Sequence, residues 1–477
     1  MPDNKVVTRF APSPTGLLHL GNYRTAIFAY LYAKKNNGSF VLRIEDTDRK
    51  RSKKEYEKNI IESLKWLGLD YDKFYRQSEH VDRHQFYLEK MIKEGNAYIS
   101  KEAAKDGSGV IKELVRFKNP NIDVSFKDEI KGEVTMNTKD LGDFVIAKNL
   151  GEPLFHLAVV VDDFEAGVTH VIRGEDHVSN TPRQVLIGRA IGAPTPIYAH
   201  MPLVLAPDRL KLSKRRGALP LTEYKNRGFL PEAILNGVAF VGWNPGTEKE
   251  IFTRDELIEA FELSRVQKSP AVFSEEKLEW FNKEHMKLLS PEEIEKNILE
   301  QLPDNMRNKK IIPIIFERIS KWGDVKIVAE KLAYLFNRLG YSDVNLPIWR
   351  DLENHPEKIE KTLGYLKSVL DLLKVAKEEN WNYESLKNTI WDYSGKEGRG
   401  NILWPLRFAL SGEKESPDPF ELAEILGRSE TLDRIERLIK FLEDITKITF
   451  TETGETNMLN SKEATQDSTN ITDTSTT

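Results

Sequence analysis

Two short segments carry residue types that suit nucleotide chemistry. The first, Pro12-Ser13-Pro14-Thr15-Gly16-Leu17-Leu18-His19-Leu20-Gly21-Asn22, lies between an apolar strand candidate, Val6 to Ala11, and the start of a helix near Asn22. Two prolines fix φ and remove amide donors, and glycine tolerates unusual φ, so the chain must turn here. At a helix start, free N–H groups and the positive dipole end suit a phosphate. Gly21 leaves room for a ligand, and His19 can donate to a phosphoryl oxygen. A rigid turn with a capping histidine explains the same residues, although the edge where strands end is where doubly wound sheets take ligands. The second segment is Lys211-Leu212-Ser213-Lys214-Arg215-Arg216-Gly217. It lies within Arg209 to Arg227, which holds seven basic residues against one acid, Glu223. Two lysines bracketing a serine after a Pro-Asp turn can clamp a triphosphate; a solvated basic loop is the plainer alternative.

The elements that must position these groups alternate. After the first helix, with Ile27, Tyr30, Leu31 and Lys34 on one face, Asn37-Gly38 supplies a stop and Ser39 to Ile44 reads as a strand. The acidic loop Glu45-Asp46-Thr47-Asp48 follows. Ser52 and Glu55 then read as a capping box before a helix with Tyr56, Ile60, Leu64 and Leu67 on one face. This β-α-β-α order predicts a parallel sheet with right-handed crossovers. Short strand candidates at Leu114–Lys118, Val124–Phe126, Glu133–Met136 and Phe144–Lys148 mark an insertion. Alternation resumes with Val168–Arg173, a helix over Thr181–Ile191 and Tyr198–Ala206, and from about Leu230 nearly every segment reads as helix.

Composition sets the outer bounds. The chain has 477 residues, 39% hydrophobic and 30% charged, which fits a globular protein. No apolar run approaches the roughly 18 residues of a membrane span, and the N-terminus lacks the apolar core of a signal peptide. The absence of cysteine excludes disulfides, thiol nucleophiles and thiolate zinc sites, and permits a cytoplasmic address. Net charge is −5, of which the last 27 residues contribute −4, so the body is near neutral and a polyanion partner stays open. Those 27 residues hold 12 Ser or Thr and almost no large apolar side chains, which predicts a disordered tail.

The two segments together resemble the class I aminoacyl-tRNA synthetases, with HLGN and KLSKR in the places of the family's HIGH and KMSKS motifs. Longer stretches resemble the bacterial-type glutamyl-tRNA synthetases: residues 8–22, LRIEDTDRKR (42–51), VVVDD (159–163), THVIRGEDHVSNTPRQ (169–184), SPAVFSEEKLEWFN (269–282) and LWPLRFALSG (403–412). The resemblance spans about residues 5–445. It implies an α/β fold, a Rossmann-like parallel-sheet catalytic domain with an α+β insertion, followed by an all-α C-terminal half. The implied organisation is catalytic over 1–78 and 155–215, an acceptor-stem-binding insertion over 79–154, a stem-contact helical region over 216–300, a helical anticodon-binding domain over 301–450 and the tail over 451–477.

The resemblance also implies the reaction, ATP-dependent ligation of L-glutamate to the 3′ end of tRNA-Glu through glutamyl-adenylate. An enzyme that also charges tRNA-Gln is the near alternative. His19, Lys211 and Lys214 are the implied catalytic groups. Thr15, Gly16, His19, Gly21, Asn22, Asp176, His177, Lys214 and Arg215 are implied for ATP, which arrives with Mg²⁺. Arg9, Ala11, Ser13, Glu45, Phe155 and Arg173 are implied for glutamate, Arg9 taking the side-chain carboxylate and Glu45 the α-ammonium. A cytoplasmic monomer without a membrane contact is the accompanying expectation. A small-molecule nucleotidylyltransferase would not need the long helical half, and an idle RNA-binding paralogue would not need His19, Lys214, Arg9 and Glu45 intact.

Three departures from the family stand out. Pro153-Leu154-Phe155-His156 replaces the usual PTYH, so Phe155 lacks a hydroxyl in the glutamate pocket. The insertion carries no cysteine, so no structural zinc is expected. Arg216 stands where relatives often have histidine. In the helical half, Trp381 and Trp391 are candidates for base stacking, although core packing is the commoner role of tryptophan.

Overall fold

The computed structural model describes residues 5–103, 111–212, 219–337, 339, 341, 356–413 and 415–463. The chain divides into two compact units, residues 1–289 with 320–323, and residues 290–319 with 324–477.

In the first unit, β1 (Val7–Phe10), α1 (Leu20–Lys35), β2 (Ser39–Ile44), α2 (Lys54–Trp66) and β3 (Lys73–Arg76) build a parallel sheet in the order β1-β2-β3. β2 is buried from Phe40 to Ile44, as an apolar run between two parallel neighbours requires. α1 is buried on nearly all sides, because Ala26, Ala29 and Ala33 let neighbours close in around Tyr23, Ile27, Phe28 and Leu31. Burying each of these large apolar side chains contributes about 1.5–3 kcal/mol. α1 begins at Leu20 with His19 as its N-cap, two residues earlier than the sequence suggests. The expected Ser52 cap does not form. Lys53 is the N-cap of α2, and the amide of Ser52 donates to the Asp48 carbonyl at 2.9 Å. Asp48 closes the preceding turn, also accepting from Arg51 Nε at 2.6 Å, and this draws Ser52 away from the helix end.

Next come α3 (Val81–Lys93), β4 (Ala97–Ala103), β5 (Ile111–Phe117), β6 (Asp123–Asp128), β7 (Gly132–Asn137), β8 (Phe144–Asn149) and β9 (Glu152–Pro153). β4, β5, β8 and β9 make one antiparallel sheet. The hairpin β6–β7 goes elsewhere. After α4 (Phe155–Glu165), β10 (His170–Gly174) and α5 (Thr181–Ile191), the strand β11 (Ile197–Met201) runs parallel to both β10 and β6. The resulting sheet has the order β10-β11-β6-β7. Thr169 ties it to β1: its amide donates to the Val7 carbonyl at 3.0 Å and its hydroxyl accepts from the Val7 amide at 2.9 Å.

The stretch read as one strand from Tyr198 to Ala206 breaks at Pro202 into β11 and β12 (Val204–Leu205). Beyond it lie α6 (Leu221–Asn226), α7 (Pro231–Ala239), α8 (Arg254–Ala260), β13 (Ala271–Val272), paired with β12, and α9 (Glu275–Met286). Residues 320–323 return to this unit through a backbone clasp. The amides of Trp322 and Gly323 donate to the carbonyls of Gly228 and Arg227, each at 3.1 Å. A Cβ at Gly228, whose φ is +82°, would stand 2.6 Å from the Gly323 amide nitrogen. A Cβ at Gly323 would stand 2.6 Å from the Arg227 carbonyl oxygen. Only glycine at both positions permits that approach.

The second unit is helical: α10 (Pro291–Gln301), α11 (Ile312–Arg318), α12 (Asp324–Lys331), α13 (Pro356–Val375), α14 (Tyr383–Glu397), α15 (Arg399–Ser411) and α16 (Pro419–Glu463), the last interrupted at Gly427 with φ +76°. The buried Arg434 holds it together, donating to the carbonyls of Tyr334, Leu335, Asn337 and Leu410. Trp381 is a core residue whose Nε1 donates to the Ala423 carbonyl at 2.8 Å, which removes it as a stacking platform. Trp391 is half-buried with the Arg399 guanidinium 4.1 Å from its ring centre. Residues 451–463, read from composition as tail, continue the backbone of α16; residues 464–477 lie outside the described residues. No helix among the described residues is long and apolar enough to cross a membrane.

Candidate active site

The C-terminal ends of the parallel strands open onto a cavity of about 520 Å³. Arg9 comes from β1, Glu45 from the residue after β2, and Arg173 from β10; Asp176 and His177 lie in the turn that follows. Ala11, Ser13, Thr15, His19, Gly21, Asn22, Phe155 and Lys211 complete the predicted lining. Gly16 does not line the cavity. Lys214 and Arg215 lie outside the described residues.

The proline turn is tied to the end of β2, since the Glu45 amide donates to the Pro12 carbonyl at 3.0 Å. Asn22 Oδ1 accepts from the His19 backbone amide at 3.1 Å and so fixes the start of α1. The His19 imidazole lies over Gly21: a Cβ there would meet its Cε1 at 3.0 Å. The ring itself therefore fills the space that glycine leaves at the helix start. Lys211 sits on a tight hairpin. The Leu212 amide donates to the Val204 carbonyl at 2.9 Å and the Ala206 amide to the Leu210 carbonyl at 2.8 Å, with Arg209 at φ +62°. Asp208 Oδ1 accepts the Leu210 amide at 3.0 Å and stabilises that turn. The Lys211 ammonium is 3.9 Å from Asp176, but both side chains are exposed and the pairing is weak.

Below the cavity lies a buried charge cluster. Arg9 Nε donates to both oxygens of Asp163, at 3.2 and 3.3 Å, and its Nη1 to the Ile172 carbonyl. Arg43, fully enclosed in β2, donates to Asp163 at 2.5 Å and to Glu45 at 3.0 Å. Burial acts to raise the Asp163 carboxyl, but Arg9 and Arg43 outweigh it and hold the group below the usual carboxylate range. Burial does raise Glu45, against the opposing pull of Arg43. Two guanidiniums thus meet two carboxylates at hydrogen-bond distance, with a third, Asp162, 3.9 Å from Arg43 Nε.

Arg173 differs. Its Nε, Nη1 and Nη2 donate to His200 Nε2 at 3.1 Å, Gln184 Oε1 at 2.8 Å and Thr181 Oγ1 at 2.8 Å. None of these acceptors is a carboxylate. Burial brings its pKa down to about 10, which leaves it charged at neutral pH. Arg173 is therefore a cation that the protein does not neutralise at contact, as is Arg24, which lines the same cavity and donates to the Val241 and Pro202 carbonyls; such cations suit an anionic ligand.

Phe155 is 40% exposed, with its ring 5.9 Å from that of His177. Burial lowers His177, and Arg173 adds to the effect. His156 beside it is lowered to about 4 by burial and then by Arg183, so it is neutral near pH 7. Arg43, Asp163, Asp128, His200, Gln184 and Thr181 were not singled out by sequence. A basic residue inside the apolar run Ser39–Ile44 was one available signal, because an enclosed arginine needs a carboxylate nearby.

Among known families, that described as "tRNA synthetases class I (E and Q), catalytic domain" matches residues 5–106 and 99–280, and that described as "Anticodon binding domain" matches residues 273–439. The chain is 41% identical to a glutamate–tRNA ligase of Aquifex aeolicus over 92% of its own length and all of that relative. It is 36% identical to one from a Sulfurihydrogenibium species over 91% of its length and 99% of the relative. The crystal structure of a glutamate tRNA ligase from Elizabethkingia meningosepticum, in complex with its amino acid, superposes with a TM-score of 0.79 at 32% identity, covering 92% of this chain and 100% of that one.

Proposed function

The chain belongs to the glutamate–tRNA ligase family of class I synthetases, and from that premise we propose how its residues divide the work. The enzyme joins L-glutamate to the 3′ end of tRNA-Glu using ATP. The glutamate α-carboxylate attacks the α-phosphorus, the bond to the β-phosphate oxygen breaks, and pyrophosphate leaves. A 3′-terminal ribose hydroxyl of the tRNA then attacks the activated carbonyl and AMP departs. Such chemistry depends on positioning and on positive charge near the phosphates.

His19 and Lys211 line the nucleotide end of the cavity, with Lys214 and Arg215 assigned to the same end by sequence. Thr15, Gly16, Gly21, Asn22, Asp176 and His177 are assigned to ATP. Arg9 and Arg173 take the substrate's carboxylates and Glu45 its ammonium, with Ala11, Ser13 and Phe155 beside them. The described residues offer no group of three His, Asp or Glu side chains for a metal. Mg²⁺ is assigned to the ATP phosphates, with at most one or two protein carboxylates. Residues 79–154 are assigned to the acceptor stem and 301–450 to the anticodon. A cytoplasmic monomer is the accompanying expectation.

The observation that supports this reading is the gathering of Arg9, Glu45, Arg173, His19 and Lys211 around one cavity at the strand ends. The test is to charge purified tRNA-Glu and tRNA-Gln with labelled glutamate and, separately, glutamine. Glutamate on tRNA-Glu is the expected product. Glutamine as the preferred amino acid would overturn the assignment of Arg9 and Arg173.

A further inference from the structure

His200 lies wholly buried between a carboxylate and a guanidinium. Its Nδ1 is 2.6 Å from Asp128 Oδ2, and its Nε2 is 3.1 Å from Arg173 Nε. An arginine only donates, so Nε2 must present its lone pair. The proton then sits on Nδ1 and is donated to Asp128, and the ring is neutral. Asp128 is itself fixed: Oδ1 accepts the amides of Ile130 and Lys131, each at 2.9 Å, at the tip of the β6–β7 hairpin. Tyr198 stacks on the imidazole at 5.6 Å and Thr181 Oγ1 lies 3.2 Å from Nε2. Burial lowers the His200 pKa and Arg173 adds to this, against Asp128.

We propose that Asp128 and His200 are positioning residues of the glutamate pocket. They orient Arg173 through an uncharged acceptor, which aims its guanidinium while leaving its charge for a substrate carboxylate. A carboxylate in the place of His200 would orient Arg173 equally well and neutralise it. The proposal rests on the reading that Arg173 binds glutamate. It also gives the hairpin a part in amino-acid recognition, since Asp128, at the end of β6, meets His200 and through it Arg173.

Two variants separate the two bonds. Asn approximates the Nδ1 position of histidine, and Gln the Nε2 position. In the full-length enzyme with tRNA-Glu, His200→Asn keeps the donor to Asp128 and removes the acceptor for Arg173. It should raise the glutamate KM at least about tenfold while leaving the ATP KM within about twofold. His200→Gln restores an acceptor to Arg173 and should recover most of that loss, even with a comparable fall in Tm. Equal glutamate KM values in the two variants, or changes in both KM values that follow Tm, would overturn the proposal. Arg173→Lys is measured alongside. An unchanged glutamate KM there overturns the underlying reading, whereas a raised one with a normal His200→Asn enzyme overturns the positioning role alone.

Discussion

Arg43 Nη1 and Asp163 Oδ1 meet at 2.5 Å beneath the amino-acid cavity, both side chains nearly closed to solvent. Asp163 also receives Arg9, so one carboxylate sets two guanidiniums. Asp163→Asn should cost about 3 kcal/mol or more, because breaking a buried pair strands the partner charge. Its folded pKa lies below the unfolded value of about 3.9. The stabilisation is therefore complete at neutral pH and is lost as pH falls through the folded value. Denaturant titrations across pH 2–7 should show a flatter acid limb for the variant.

Glu45 titrates in the opposite sense, its carboxyl raised by burial. As pH falls through that raised value the group becomes neutral and loses its hold on an ammonium. The glutamate KM should therefore climb at a higher pH than an ordinary carboxylate would dictate. Glu45→Gln should raise that KM about tenfold to a hundredfold at neutral pH and abolish the climb. Steady-state charging kinetics from pH 5 to 8 read both effects; an unaltered profile in the variant would remove Glu45 from ammonium binding.

Gly21→Ala sets stability against turnover. Alanine is the better helix former, by less than the about 1 kcal/mol of a helix interior because Gly21 is the second residue of α1, yet its Cβ would press on the His19 ring at 3.0 Å. The melting temperature should hold or rise while pyrophosphate exchange falls. Retention of full exchange would mean that the position of the His19 ring is not critical.

Lys214→Ala should leave far-UV circular dichroism unchanged and lower tRNA-dependent pyrophosphate exchange by about 10²–10³-fold. Normal exchange would exclude the lysine from charge stabilisation.

The strands and helices that carry Arg9, His19, Glu45 and Arg173 were legible because each is announced locally, by a proline turn, a glycine or an apolar run. Their supports were not. Asp128 and His200 lie 72 residues apart, and Arg43 and Asp163 lie 120 apart. Period-2 alternation finds β6 but not its neighbour, so the departure of β6–β7 from the other inserted strands could not be read. Ser52 shows the limit of local rules: a capping pattern was present, yet the Ser52 amide closes the turn that begins at Asp48 and the helix is capped one residue later, at Lys53.

The clasp between Gly228 and Gly323 bears on how this molecule could be cut. A gene split after Leu289 would separate the catalytic body from the four residues that dock against Arg227 and Gly228. It would also strand the amide of Asn282, which donates to the Ser320 carbonyl at 2.6 Å. Residues 320–323 thus belong in space with the unit that ends in sequence at Leu289, so the seam visible in sequence order is not the seam in space.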